Sequence, residues 1–168
     1  MRNSILVLAG AVGVALLSTG ALASGSGKHS HGAKSETGHH HHAATEIGAP
    51  GDPKKVVRTF RIDMGDDMKF RPAAFTVRQG ETVRFTVKNS GKLKHELVLG
   101  TREELEAHAK EMEKNPDMEH DDPNAVHVEP GKTATLVWRF TKPGDVPFAC
   151  LIPGHMQGGM VGKVIVNP

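Results

Sequence analysis

The sequence FACLIPGHMQGGMVGKVIV spans residues 148–166 and contains the only cysteine of this 168-residue chain. Cys150 is followed five residues later by His155, which is followed five residues later by Met160. Thiolate, imidazole and thioether groups all bind transition metals, and electron-transfer copper sites combine two histidines, one cysteine and a weak axial methionine. The spacing therefore predicts a metal-binding loop that needs one more histidine from elsewhere in the chain.

Two upstream histidines lie in strand-like sequence and could supply that donor. His95 directly follows the turn at 89–92, whereas His127 lies in the segment 125–128 without an adjacent loop. For the axial position, Met156 competes with Met160 but directly follows a ligand and would struggle to point back towards the metal. Met160 is therefore the expected axial donor.

Cys150 could have two roles other than metal binding. A lone cysteine is often a small buried hydrophobic residue, but here a histidine and a methionine follow it at ligand-like spacing. Nucleophilic catalysis with His155 is disfavoured because a catalytic cysteine usually works with a histidine from elsewhere in the fold. We therefore expect a metal ligand and no enzymatic activity.

Residues 54–168 show the alternation of apolar and polar residues that is typical of strands with one buried face. Turn-forming residues separate the segments at Gln79-Gly80, Pro130-Gly131 and Lys142-Pro143-Gly144. About seven short strands at this spacing predict an all-β sandwich or barrel. The alternating apolar positions are Phe60, Ile62, Phe75, Val77, Val83, Phe85, Val87, Ala134, Leu136, Trp138 and Phe140, and Val161–Val166 gives a closing strand.

One segment departs from the period of two. Thr101 and Glu104 form a capping box, and Leu105, His108 and Met112 follow at helical spacing. We therefore expect a helix over about 102–114, inserted between the upstream histidine and Cys150.

The ligand pattern and its surroundings resemble the cupredoxins, the small type 1 (blue or green) copper proteins. The pattern is His95, then Cys150, His155 and Met160, with an aromatic-x-Cys entry and a Gly-Met-x-Gly-x-Val-x-Val exit. The resemblance covers about residues 54–168, favours His95 over His127, and implies a Greek-key β-sandwich with one copper ion. The residue after the upstream histidine is often Asn in that family, and here it is Glu96.

The sequence of the first 53 residues predicts export and a histidine-rich leader. Residues 1–23 combine a positive start, a short apolar run and Ala21-Leu22-Ala23, which is typical of a cleaved signal peptide and predicts a periplasmic protein without a membrane anchor. Residues 24–53 are rich in Gly, Ser, Ala, His and Pro, so we expect a flexible leader. This organisation is most similar to exported copper-tolerance cupredoxins of the CopI type.

Further histidines and methionines are candidate accessory metal ligands. Clustered imidazoles bind divalent copper, nickel or zinc, and thioethers prefer cuprous copper. Rim packing is an equal alternative for the two methionines near residue 66, and an acidic solvated loop is the favoured interpretation of 115–124. The candidates are His39, His40, His41, His42, Met64, Met68, Met118 and His120.

The composition restricts the class of partner. Lys and Arg number 21 against 19 Asp and Glu, so nothing predicts strong attraction to nucleic acid or to anionic membranes. Eleven histidines and seven methionines favour copper ions as the partner. We therefore expect a redox-active copper protein of copper tolerance; the alternative is an electron carrier whose partner is a cytochrome or a copper oxidase.

Overall fold

A computed structural model describes residues 45–116 and 121–168. Over those residues the chain forms two five-stranded sheets that face each other, with strand orders β1-β8-β5-β2-β3 and β4-β10-β9-β6-β7. The elements are β1 (Ala49–Pro50), a 3-10 helix (Pro53–Lys55), β2 (Val56–Gly65), β3 (Lys69–Arg71), β4 (Ala74–Arg78), β5 (Thr82–Asn89), β6 (His95–Leu99), α1 (Arg102–Lys114), β7 (Ala125–Val128), β8 (Thr133–Arg139), β9 (Gly144–Ala149) and β10 (Val161–Asn167).

The alternation in the sequence places one face of each strand in the core. In β5, Val83, Phe85 and Val87 are at most 1% exposed, while Arg84 and Thr86 between them are half-buried. The chain crosses between the two sheets several times, as in Greek-key sandwiches. The expected all-β sandwich is confirmed.

Aromatic rings fill the space between the sheets at one end of the core. Phe75 lies 4.7 Å from Phe60, 5.7 Å from Phe85 and 6.2 Å from Phe148, measured between ring centroids. Such pairs stabilise a core beyond the area that they bury. This packing fixes the end of β9, from which the chain continues directly into Cys150.

The helix α1 begins and ends where the sequence predicts. The Thr101 side chain accepts the Glu104 N–H, and the Glu104 carboxylate accepts the Thr101 N–H, so the capping box is complete. The helix buries Leu105, Ala109 and Met112 in a second hydrophobic cluster that includes Ala149 and Leu151, the residues on either side of Cys150. The helix therefore packs against the approach to the predicted metal loop.

The expected leader boundary at residue 53 is wrong for residues 45–53. Ile47 is 6% exposed, and its carbonyl accepts the indole N–H of Trp138 at 2.9 Å. Ala49 and Pro50 pair with Arg139 and Trp138 in β8. The segment is too short and too rich in Gly and Pro for alternation to be visible, so the packing of Ile47 against Trp138 decides its structure. The predicted signal peptide and residues 24–44 lie outside the described residues.

Residues 45–116 and 121–168 form ten strands, where about seven were expected. The two-residue β1 and the three-residue β3 are too short to show a period, and β9 contains Gly144 and Pro147. Within the described residues, no helix is long and apolar enough to cross a membrane.

Candidate metal centre

Adjacent strands bring the predicted ligands together. His95 is the first residue of β6, and Cys150 directly follows β9. These strands are antiparallel neighbours, with Val98 opposite Ala149. His155 and Met160 lie on the loop between β9 and β10, so ligands that are 55 residues or more apart in the sequence meet at one end of a single sheet.

Three donor atoms converge at that end. The Nδ1 atoms of His95 and His155 are 3.2 Å apart, and Cys150 Sγ lies 3.3 Å from His155 Nδ1. One ligand atom from each of the three residues lies within 4.8 Å of the others. Imidazole nitrogens lie about 2 Å and thiolate sulfurs about 2.3 Å from a bound zinc ion, so donors spaced in this way fit around a single metal ion.

Backbone hydrogen bonds close the loop on itself. The Cys150 N–H donates to the carbonyl of Met160 at 3.1 Å, and the Met160 N–H donates to the carbonyl of His155 at 3.0 Å. Gly154 has φ 86° and Gly159 has φ 93°, conformations in which a side chain would be strained. Cys150 and Met160 are therefore held side by side, and both are 0% exposed.

Burial sets the protonation of the thiol and of one imidazole. Burial raises the pKa of Cys150 to about 12, so the metal-free thiol is protonated at neutral pH. Burial first, and the nearby His95 second, lower the pKa of His155, which therefore presents a neutral imidazole. A neutral imidazole can donate its lone pair to a metal, whereas the thiol must first lose its proton.

The sequence of this domain matches the family described as "Copper binding proteins, plastocyanin/azurin family" over residues 56–167. The chain belongs to the plastocyanin/azurin family of copper-binding proteins. Copper is accordingly its metal, and the donor set fits, because a thiolate and two imidazoles suit copper.

Individual relatives agree with the family match. The chain is 51% identical to the "Copper-resistant cuproprotein CopI" of Rubrivivax gelatinosus over 99% of this chain and 100% of that protein. It is 40% identical to the protein of the same name from Pseudomonas aeruginosa strain PAO1, over 73% of this chain and 83% of that protein. The resemblance to copper-tolerance cupredoxins is thereby confirmed.

Solved structures of other proteins share the fold. Dithionite-reduced auracyanin from Roseiflexus castenholzii superposes with a TM-score of 0.58 at 27% identity, covering 67% of this chain and 99% of that one. Auracyanin B gives a TM-score of 0.60 at 22% identity, covering 72% and 96%. At that lower identity the likeness concerns the fold alone.

Glu96 occupies the position at which the family often has Asn. Its side chain braces the loop that carries Cys150. Glu96 is 3% exposed, and its Oε1 accepts the N–H of Leu151 at 2.8 Å. Its Oε2 lies 2.9 Å from Nδ1 of His127, which is opposite Glu96 in the β6–β7 register. The structure thus places His127, the rival upstream ligand, beside a carboxylate and outside the three-donor group.

Asp66, for which the sequence predicts no role, contacts the ring nitrogen of His95 that does not face His155. Its Oδ1 lies 3.3 Å from His95 Nε2. Asp66 and His95 lie 29 positions apart in the sequence. The alternation of the strands between them predicts the strands but not this contact, so only the folded chain brings the two residues together.

Two of the eight accessory candidates lie in the described part of the chain. Met64 is 0% exposed and belongs to the main core, against which the half-buried Met68 packs. These positions agree with rim packing, and an accessory role for Met64 and Met68 stays a prediction. The others lie outside the described residues: His39, His40, His41, His42, Met118 and His120.

Proposed function

We propose that His95 Nδ1, Cys150 Sγ and His155 Nδ1 would hold one copper ion, with Met160 as a weak fourth donor. The observation that carries this proposal is the convergence of the three donor atoms within 4.8 Å in a buried site. Met160 supports it by being buried in the same core as Cys150.

The protein itself fixes the positions of the donor groups. His95 and Cys150 are 0% exposed, and His155 is 9% exposed, so the donors face one another with little access for water. The backbone bonds of the loop and the Glu96–Leu151 hydrogen bond fix their positions. Copper, when bound, supplies a one-electron change between Cu(II) and Cu(I), and a rigid donor set keeps the rearrangement small.

Copper tolerance is the physiological role that we infer. Two relatives carry the name copper-resistant cuproprotein, and one of them aligns over 99% of this chain. The sequence adds a run of four histidines at 39–42 and a predicted export signal at 1–23. Clustered imidazoles bind divalent copper, so this segment would capture copper in the periplasm beside a redox-active site, with no substrate transformed.

An electron carrier is the second candidate, and one observation favours it. His155 is the ligand that reaches the surface, and half-buried Ile152, Pro153 and Met156 surround it in the same loop. An apolar surface around a ligand edge would allow a cytochrome or a copper oxidase to approach. In that role the histidine run at 39–42 would be dispensable.

A complementation experiment distinguishes the two roles. A strain that lacks the gene is supplied with the full chain, with Cys150→Ala, or with a chain lacking residues 24–44, and its growth is followed as copper is increased. We expect the full chain to restore growth, Cys150→Ala to fail, and the deletion to fail at the highest copper. The deletion stops at 44 because residues 45–53 pack against β8.

Two results would count against copper tolerance. Full growth with Cys150→Ala would show that the buried site is not needed for tolerance. Full growth with the deletion, together with rapid electron exchange between the purified protein and a cytochrome, would favour the electron carrier. Periplasmic extracts probed for the protein serve as the control for export and for equal amounts of each variant.

A further inference from the structure

Asp66 lies in the turn between β2 and β3, and its carboxylate contacts the segment that leads to His95. It accepts the backbone N–H of Lys92 at 2.8 and 3.0 Å through its two oxygens, and that of Leu93 at 3.1 Å. The same Oδ1 lies 3.3 Å from His95 Nε2. One carboxylate thus binds two consecutive backbone amides and the ring of a proposed copper ligand.

The surrounding chain is shaped to admit this carboxylate. A Cβ atom added to Gly91 would lie 2.0 Å from Asp66 Oδ1, so only glycine allows this approach. Buried Asn89 holds the turn from the other side, since its Oδ1 accepts the Gly91 N–H and its Nδ2 donates to the carbonyls of Leu93 and Val128. The position of the carboxylate is therefore fixed by the protein.

The contact with Asp66 decides which nitrogen of His95 carries the proton. A carboxylate at neutral pH is only an acceptor, so the ring must present an N–H at Nε2. The lone pair is then left on Nδ1, the atom that lies 3.2 Å from His155 Nδ1. Carboxylates placed behind metal-binding histidines orient the ring and make it a stronger donor.

We propose that Asp66 is a positioning residue that holds His95 with its proton on Nε2 and its Nδ1 towards the metal, and thereby favours Cu(II) over Cu(I). This inference rests on His95 being a copper ligand, as proposed above. The negative charge and the stronger imidazole donor both stabilise the more highly charged ion.

The first arm of the test needs no metal. Long-range ¹H–¹⁵N correlation spectra of the metal-free protein report which nitrogen of each histidine is protonated. We expect His95 to carry its proton on Nε2 in the native chain, and to lose that preference in Asp66→Ala. A native His95 protonated on Nδ1 would overturn the proposal, whatever copper does.

The second arm compares neighbouring carboxylates. Asp67→Ala is the matched control, because Asp67 lies in the same turn, has the same charge and pairs with Arg71 instead of His95. Loss of a residue that orients a metal ligand typically lowers metal affinity about 10- to 100-fold. We expect a loss of Cu(II) affinity in that range for Asp66→Ala, read from the copper–thiolate band, with Asp67→Ala close to the native protein.

The relative affinity for the two oxidation states gives the sharpest comparison. A tenfold fall in the Cu(II)/Cu(I) affinity ratio of Asp66→Ala corresponds to a reduction potential about 59 mV more positive. If the reduction potential shifted equally in Asp66→Ala and Asp67→Ala, the loss of one negative charge would explain the change without the contact to His95. That result would overturn the proposal. A native protein without any copper–thiolate band would instead contradict the ligand set, leaving the metal-free spectra to decide the role of Asp66.

A third variant disturbs the contact between Asp66 and His95 without removing the carboxylate. Gly91→Ala keeps the charge of Asp66 but places a Cβ where the carboxylate lies. We expect it to weaken the His95 proton preference and to lower Cu(II) affinity in the direction of Asp66→Ala. Thermal unfolding of each metal-free variant shows whether the fold is intact, and a folded Gly91→Ala protein with native His95 and native affinity would contradict the proposal.

Discussion

Cys150 combines two properties at the scale of a single residue: it is the only thiol in the sequence, and its side chain is fully buried. Burial disfavours the thiolate, which raises the pKa to about 12. A thiolate is nevertheless the form that binds copper. The cost of losing the proton must therefore be met by the bond to the metal.

The raised pKa predicts that copper binding at this site releases a proton. Between pH 7 and 9 the metal-free thiol is protonated and His155 is neutral, because their pKa values are raised and lowered respectively. One proton should then leave per copper bound, and the apparent affinity should rise about tenfold per pH unit. Calorimetry in buffers of different ionisation enthalpy measures this, over the part of the titration in which the copper–thiolate band grows.

The control for this prediction is Cys150→Ser, which should form no band and show no thiol proton release at the site. Copper binding that produces the band without releasing a proton between pH 7 and 9 would mean that the thiol is already ionised. The pKa ascribed here to burial would then be wrong.

At this scale the sequence predicted the donors but not what holds them. The donor types, the spacing of Cys150, His155 and Met160, and the family resemblance led to the predicted ligand set. The structure brings the donor atoms of His95, Cys150 and His155 together, and the binding of copper by these residues and Met160 stays a prediction. Asp66 contacts His95 across 29 residues, and Glu96 contacts Leu151 across 55. No local pattern encodes such contacts, because they depend on which strands and turns become neighbours.

The helix α1 is the element whose limits the sequence predicted best. Its N-terminus is specified by Thr101 and Glu104, whose hydrogen bonds are local and independent of the rest of the fold. The short strands were predicted less well, since β1 and β3 owe their structure to the sheet that they join. Local signals therefore predict elements whose stabilising contacts are local.

Removing the cap should destabilise the helix without altering the metal site. Thr101→Ala removes the side-chain acceptor for the Glu104 N–H and should lower the free energy of unfolding of the metal-free protein by about 1 kcal/mol. Denaturant unfolding measures the change, and the copper–thiolate band should keep its position. Glu106→Ala, at an exposed helix position, is the control and should change stability much less.

A change in the band would contradict this separation of roles. The helix packs against Ala149 and Leu151, so a shifted band in Thr101→Ala would mean that the N-terminal turn also holds the cysteine loop in place.

At the scale of the whole molecule, the folded domain begins earlier than composition suggests. Low apolar content made residues 24–53 resemble a leader, but Ile47 reaches the core and β1 extends a sheet. A single buried residue and one indole hydrogen bond decide the structure here, and composition averages over such features. The two-sheet architecture was predictable because alternation is repeated in many strands.

Two truncated chains test where the domain starts. Fully burying an aliphatic side chain such as Ile47 stabilises a protein by about 1.5–3 kcal/mol. A chain that starts at Thr45 should retain the stability of the full chain, whereas one that starts at Lys54 should lose about that amount. Denaturant unfolding of both metal-free chains is the measurement. Equal stability would mean that the contacts of residues 45–53 contribute nothing net.

Copper binding through the thiolate of Cys150 is the proposal on which the function of this domain depends. The most direct measurement is a Cu(II) titration of the full chain, with visible absorption and bound copper followed together in the native protein and in Cys150→Ser. We expect an intense thiolate-to-copper band that saturates at one equivalent and is absent from the variant, even if the histidine run binds more copper without colour. No band in the native protein, or the same band in Cys150→Ser, would contradict the proposal.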